Sequence, residues 1–254
     1  MYDFHVHSQF STDSYSDATM KNICDTAIDK GLSGICFTDH IDIDYPSDEE
    51  MFILDDYYES INKMSSYYKN KLSIYTGVEL GLQPNLREQN EIISKKPEFD
   101  FILGSIHLVN KKELYNGDFL DNNSDHIGIM NYFSDLKQCL FDDFDSLGHI
   151  DVFRRYLNSG EKEFSFYKYK EELYEILNIL ISNEKGLELN TAGIRYGLSD
   201  FHPLKDILVL YRELGGKIIT LGSDAHRPSD LGYEFKKALS LLKYLGYDYY
   251  CIFK

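Results

Sequence analysis

Tryptophan is absent, and the aromatic content falls on 21 Tyr and 16 Phe, a bias with no functional reading. Cysteine is sparse, and Cys24, Cys36, Cys139 and Cys251 stand far apart. That spacing excludes a Cys-x-x-Cys redox pair and a cysteine-based zinc knuckle. A disulfide framework is foreign to a chain of 254 residues, so buried free thiols are expected. Basic residues are outnumbered by acidic ones, 26 to 42, leaving a formal net charge of −16. Such a surface repels a phosphate backbone, which argues against nucleic-acid binding. No run of about 18 apolar residues occurs, so no membrane-spanning helix is expected. The opening Met-Tyr-Asp-Phe-His-Val-His lacks a basic start followed by an apolar core, so no secretory leader is expected either. These exclusions point to a cytoplasmic protein without a membrane partner; homo-oligomerisation is left open.

What the chain does contain is a regular alternation. Hydrophobic residues make up 43% and charged residues 27%, enough for a large core and against disorder. Strands are expected at Tyr2–Val6, Gly34–Thr38, Ser73–Val78, Phe101–Ile106, Ser146–Gly148, Gly186–Leu189 and Lys217–Leu221. Helical patterns lie between them, near Ala18–Lys30, Asp55–Asn70, Leu86–Lys96, Asp125–Cys139, Tyr169–Asn183, Leu204–Leu214 and Leu231–Leu245. Leu173, Ile176, Leu177, Leu180 and Ile181 follow the spacing of one buried stripe. Gly31, Gly186, Gly215 and Gly246 fall where a left-handed residue ends a helix, and Pro203 suits a first helical turn. Alternation of this kind implies a parallel sheet, either a barrel or an open doubly wound sheet, in one domain over residues 1–254.

The polar residues after each strand carry the functional signal. His5 and His7 follow the first, Asp39 and His40 the second, and Glu79 ends the third. His107 follows the fourth, His149 the fifth, and Asp224 with His226 the seventh. The sixth leads instead to Asn190, Thr191 and Arg195. Six of the eight histidines therefore sit at strand ends, and in a (β/α) barrel all those ends open on one face, where catalysis is built. Singly, a His-x-His or a Gly-His is as often a polar edge or a core histidine; together they point to a multi-metal centre. His126 reads as a solvated helix-start residue in the polar run Asp121–Asp125. His202, beside Pro203, reads as structural, and the acidic stretch Asp44–Glu50 as a solvated loop.

In these residues the sequence resembles the polymerase-and-histidinol-phosphatase (PHP) superfamily. His5-x-His7, Thr38-Asp39-His40, Glu79, His107, Gly148-His149 and Asp224-x-His226 match its motifs in order. The resemblance implies a distorted (β/α)7 TIM-like barrel with two or three divalent metal ions at the C-terminal ends of the strands. It implies that His5, His7, Glu79 and Asp224 hold the first metal and form the catalytic set. Glu79 would bridge to a second ion held by His107 and His149. His40, His226 and Asp13 would hold a third; many relatives carry histidine where this chain has Asp13. The local sequences Ser105-Ile106-His107, Gly148-His149-Ile150-Asp151 through Arg155-Tyr156, and Glu188-Leu189-Asn190-Thr191 with Arg195 are similar to the stand-alone histidinol-phosphate phosphatase subgroup. That similarity implies hydrolysis of L-histidinol phosphate in histidine biosynthesis, with Arg155, Arg195 and His40 binding the substrate and Arg154 competing with Arg155.

The chemistry suits the residue types. Ligation by His, Asp and Glu without sulfur favours zinc, iron or manganese. A shared carboxylate can hold two such ions close together and generate a bridging hydroxide nucleophile near neutral pH. Three divalent ions outweigh Asp13, Glu79, Asp224 and one hydroxide, so a locally positive site is expected inside an acidic protein. A small phosphate ester fits that pattern and a polyanion does not. The rival readings are a PHP phosphoesterase for another small ester or a phosphotyrosine peptide, a related amidohydrolase (disfavoured because no lysine ends a strand), and a metal-stabilised binding module without turnover.

Overall fold

Alternation of short apolar strands with amphipathic helices builds the molecule, as seen in a computed structural model that describes residues 1–46, 52–120, 124–161 and 164–254. The first half contains β1 (Tyr2–Val6), α1 (Met20–Asp29), β2 (Gly34–Phe37), β3 (His40–Ile41), α2 (Leu54–Tyr67), β4 (Ser73–Gly81), α3 (Arg87–Ser94), β5 (Phe101–Ser105) and the pair β6 (Leu108–Val109) and β7 (Lys112–Glu113). The second half contains α4 (Asp125–Cys139), β8 (Ser146–Leu147), α5 (Lys170–Ser182), β9 (Gly186–Asn190), α6 (Ala192–Arg195), α7 (Lys205–Glu213), β10 (Ile219–Gly222) and α8 (Phe235–Tyr244). Seven strands pair in the parallel order β1-β2-β4-β5-β8-β9-β10. The sheet nearly closes into a barrel. Across the β10–β1 seam the Asp224 N–H donates to the His5 carbonyl and the His7 N–H to the Ala225 carbonyl, both at 2.9 Å.

Burial on both faces explains why the strands read as near-continuous apolar runs. Outward-facing Ile102, Leu147, Leu187, Leu189, Ile219 and Leu221 join the main core formed with the helices. On α5, Leu173, Ile176, Leu177 and Leu180 are buried as the spacing predicts, whereas Ile181 is only partly so. Inside the barrel, Phe4, Cys36, Tyr75, Phe101 and Leu103 form a separate apolar layer. The C-terminal tail closes that layer from below: the Phe253 and Phe101 rings lie 5.1 Å apart, and the Cys251 N–H donates to the Ile219 carbonyl. Helix starts follow local chemistry, with the Thr19 side chain accepting from the Asn22 N–H and Ser124 from the Ile127 N–H.

Several expectations differ in detail. β4 runs to Gly81, so Glu79 lies within a strand and pairs with His40 of the short β3 on one side and Leu103 on the other. The two-residue strands β3, β6 and β7 and the single turn α6 are too short for any periodicity to announce. Gly186 is not a helix terminator. It opens β9, where a side chain would collide with Ile218 and Ser146, and Glu184 takes the left-handed conformation at φ 56° instead. Pro203 precedes α7 rather than entering its first turn. Residues 47–51 and 121–123 lie outside the described residues, as does that part of the expected loop at Asp44–Glu50 and of the polar run before α4. His126 sits exposed in the first turn of α4, its Nδ1 3.1 Å from the Tyr169 hydroxyl. Among the described residues, no helix is long and apolar enough to cross a membrane.

Candidate metal centre

The six strand-end histidines converge at one rim of the barrel. A slip of one residue in β1–β2 pairing, between Asp3 and Val6, places a bulge beside the first pair. Bulges re-aim side chains. Here Phe4 packs in the barrel layer below, His5 points at the centre, and Val6 returns outward to the α1 side. His5 Nε2 and His7 Nε2 then lie 3.0 Å apart. Asp224 joins them from the seam loop in a left-handed conformation, φ 54°, which costs energy for any residue but glycine.

The distances match those of a cation cage. For a tetrahedral ion with bonds of about 2.0–2.1 Å, ligand atoms are separated by about 3.3 Å. Five of the six edges among His5 Nε2, His7 Nε2, Glu79 Oε2 and Asp224 Oδ1 are recorded, at 3.0, 3.2, 3.6, 3.4 and 3.5 Å. Glu79 turns its other oxygen, Oε1, to His107 Nε2 at 3.2 Å and His149 Nε2 at 2.9 Å. Asp13 Oδ2 faces His226 Nε2 at 3.0 Å and His40 Nε2 at 3.5 Å, while His40 Nδ1 lies 3.0 Å from Glu79 Oε2. Yet both His40 Nδ1 and Glu79 Oε2 are buried without a hydrogen bond of acceptable geometry. Groups this close that lack ordinary hydrogen bonds leave room for a cation among them. The residues present therefore fit divalent ions, as an all-nitrogen-and-oxygen donor set suited to zinc, iron or manganese.

Electrostatics agree with the geometry. Burial resists ionisation of Glu79, but His5, His107 and His40 outweigh it and hold the carboxyl well below its usual range. Burial likewise opposes charge on Asp224, and His5, His7 and His226 overcome it. For His107, burial is again outweighed, by Asp42 and Glu79, and its value rises to about 10. His7 moves the opposite way, pushed down by burial, His226 and His40. The carboxylates stay ionised and demand positive partners.

Two further residues, unnoticed as site groups in the sequence, orient the imidazoles from behind. Glu188 Oε1 lies 2.7 Å from His5 Nδ1, and its Oε2 accepts from the His149 backbone N–H at 2.9 Å. Asp42 Oδ1 lies 2.8 Å from His107 Nδ1. Each carboxylate can take the Nδ1 proton and so leave Nε2 available to a metal. Both rely on a bare backbone opposite: a side chain at Gly222 would collide with Glu188 and His5, and one at Gly81 with Asp42. His7 is fixed in the same sense by Ser11 Oγ at 3.1 Å, itself donating to Asp39 at 2.7 Å. Glu188 was detectable as a charge at an alternate position within an apolar strand, and Asp42 as a carboxylate two residues after His40.

The arginines separate into three roles. Arg154 is buried and committed to Asp151, the Phe201 carbonyl and Glu161. Arg155 lines the cavity above the centre, its guanidinium carbon 3.4 Å from the Tyr196 ring centroid. Arg195, expected as a phosphate clamp, makes its contacts here within the protein. Its guanidinium donates to the Ser223 carbonyl at 3.0 Å and the Asp224 carbonyl at 2.6 Å, pairs with Asp230 at 3.3 Å, and is not among the residues lining the cavity. It anchors the loop that carries Asp224. His202 is fully buried, with Nδ1 2.7 Å from Asp151.

A parallel barrel with clustered histidines and carboxylates at its C-terminal rim defines the class of metal-dependent barrel hydrolases. The sequence profile of the PHP domain matches residues 3–192. The chain belongs to the PHP domain family. It is 36% identical over 247 residues to a probable histidinol-phosphatase of Clostridium acetobutylicum, covering 95% of this chain and 92% of that one. It is 34% identical over 253 residues to the histidinol-phosphatase of Lactococcus lactis subsp. lactis, covering 96% and 91%. A crystal structure of histidinol phosphate phosphatase from that organism, complexed with zinc, L-histidinol and phosphate, superposes with a TM-score of 0.89 at 32% identity, over 100% of this chain and 96% of that one.

Proposed function

We propose that the chain hydrolyses L-histidinol phosphate to L-histidinol and inorganic phosphate, as a metal-dependent phosphomonoesterase of histidine biosynthesis. The observation that carries this reading is Glu79, whose two oxygens face separate ligand sets, His5 with His7 and His107 with His149. Both full-length relatives named above support the substrate.

His5, His7, Glu79 and Asp224 would hold one ion, Glu79, His107 and His149 a second, and Asp13, His40 and His226 a third. When bound, such ions supply a nucleophile from water near neutral pH and neutralise charge on the phosphoryl oxygens. The chain's own residues do the rest. Asp42 and Glu188 keep His107 and His5 in the tautomer that presents Nε2. Arg155, stacked on Tyr196, offers paired N–H donors to the phosphate. In the balanced reaction a water oxygen forms the new P–O bond, the ester P–O bond breaks, and the alcohol leaves with a proton. The domain that performs it spans 1–254, since its ligands run from His5 to His226. A cytoplasmic setting is supported by four cysteines that are all free thiols, and a nucleic-acid partner is disfavoured by the charge of −16.

The test is elemental analysis of purified protein coupled to turnover on L-histidinol phosphate, a nucleotide, a sugar phosphate and a phosphotyrosine peptide. About two or three zinc, iron or manganese ions per chain and a clear preference for L-histidinol phosphate are expected. Metal-free protein with full activity, or no preference across the esters, would refute the reading.

A further inference from the structure

We infer that Asp3 is a positioning residue of the metal centre, acting through Ser223 to hold the candidate ligand Asp224 in place. This role rests on the metal-centre reading and adds what keeps the loop after β10 in its ligating shape. Asp3 is fully buried and belongs to none of the groups arranged to hold a metal. Its two oxygens instead gather four donors. Oδ1 accepts from the Ser223 N–H at 2.9 Å and the His5 N–H at 3.4 Å. Oδ2 accepts from the Ser223 hydroxyl at 2.6 Å and the Gly232 N–H at 2.9 Å.

Ser223 and Gly232 bracket the loop that carries Asp224 and His226, so one carboxylate on β1 fastens both of its ends. The carbonyls of the same loop are held from elsewhere. Lys30 Nζ donates to those of Ser229 and Leu231 at 2.5 and 2.8 Å, and Arg195 to those of Ser223 and Asp224. Cations thus take the loop's acceptors and Asp3 takes its donors. His107 and His149 follow β5 and β8, strands that pair with neither β1 nor β10, so their side of the centre is built independently of this latch.

The need for a carboxylate lies one residue beyond Ser223. Burial opposes its charge and pushes the Asp3 carboxyl up to about 6, and an apolar side chain would fill the space at less cost. What the carboxylate supplies is acceptor capacity, since an amide of the same size brings one oxygen and two donors. Asp224 adopts φ 54°, a strained conformation that its surroundings must enforce. Asp3 fixes Ser223 at its N–H and hydroxyl, and Arg195 fixes it at its carbonyl. The peptide entering Asp224 is therefore set, and Asp224 Oδ1 stands 3.6 Å from His5 Nε2 and 3.5 Å from His7 Nε2.

The experiment compares wild type, Asp3→Asn and Ser223→Ala in zinc affinity by chelator competition, zinc bound per chain, and Tm with and without zinc. Asp3→Asn keeps the volume but turns an NH2 group toward donors that need an acceptor. Its weakest-held zinc is expected to bind about tenfold or more less tightly than in wild type, while the ion faced by His107 and His149 keeps its affinity. The rise in Tm on adding zinc should shrink accordingly. Ser223→Ala removes the hydroxyl donor alone and should move the same readouts the same way by less. If Asp3→Asn does not fold, Ser223→Ala decides, and wild-type zinc affinity there overturns the inference. An equal fall in Tm for the zinc-free and zinc-loaded forms of Asp3→Asn, with affinities unchanged, marks a purely structural residue and also overturns it, as does an equal loss of every ion. Wild type that binds no divalent ion refutes the metal-centre reading itself, and the role of Asp3 falls with it.

Discussion

Glu188 offers the sharpest perturbation because it touches no substrate, yet it stands behind two ligands at once. It is 1% exposed, and all its recorded partners are donors or can be: His5 Nδ1 at 2.7 Å, the His149 N–H at 2.9 Å and Asn190 Nδ2 at 3.1 Å. Glu188→Gln keeps the volume but replaces one acceptor oxygen by an NH2 group. Whichever way the amide turns, one donor must face another donor. If the NH2 faces His5, the imidazole is driven to the other tautomer and its Nε2 is protonated and lost as a ligand. If it faces His149, the buried backbone N–H is orphaned, at a cost of about 1–3 kcal/mol. Loss of a partner behind a metal ligand lowers metal affinity or activity about tenfold to a hundredfold. Zinc affinity by chelator competition and kcat/KM on the same preparations should fall together within that range, with the fold intact by circular dichroism. Wild-type zinc affinity and rate in Glu188→Gln would refute the assignment of His5 Nε2 as a ligand oriented from behind.

Arg195→Ala should lower metal occupancy or kcat rather than chiefly raise KM, because the side chain braces the Ser223 and Asp224 carbonyls; a pure KM effect with metal retained would restore the direct phosphate contact. In native protein at pH 8, Cys251 should be the thiol that labels. Cys24 is pushed up to about 12 by burial, so its thiolate is nearly absent there, and Cys36 and Cys139 are also raised by burial. Mass spectrometry showing rapid labelling of Cys24 would contradict that.

The candidate ligand cluster was legible because a histidine or carboxylate at the end of an apolar strand has no cheap place to go, and six histidines at such ends share one rim by the topology of a parallel barrel. Asp13 was reached only through the family resemblance; its contact with His40 and His226 depends on how the loop after β1 folds back. The orienting roles of Asp42 and Glu188 escaped notice because they are set by partners 65 and 183 residues away. Adjacent Arg154 and Arg155 could not be told apart by pattern; their directions follow from the short 3-10 turn at Val152–Arg155, which buries one guanidinium against Asp151 and turns the other to the cavity. The contacts of Arg195 were hidden for a related reason. Its position after the strand without a histidine suggested a free cation, while the seam between β10 and β1 needs an anchor there.

Anomalous X-ray scattering from crystals of the metal-loaded protein, recorded across the zinc, iron and manganese edges, bears most directly on whether these side chains cage cations. Peaks are expected within ligand distance of His5 Nε2, His7 Nε2 and Asp224, and of His107 Nε2 and His149 Nε2, with Glu79 touching both. Active protein whose anomalous map is empty at that rim would contradict it.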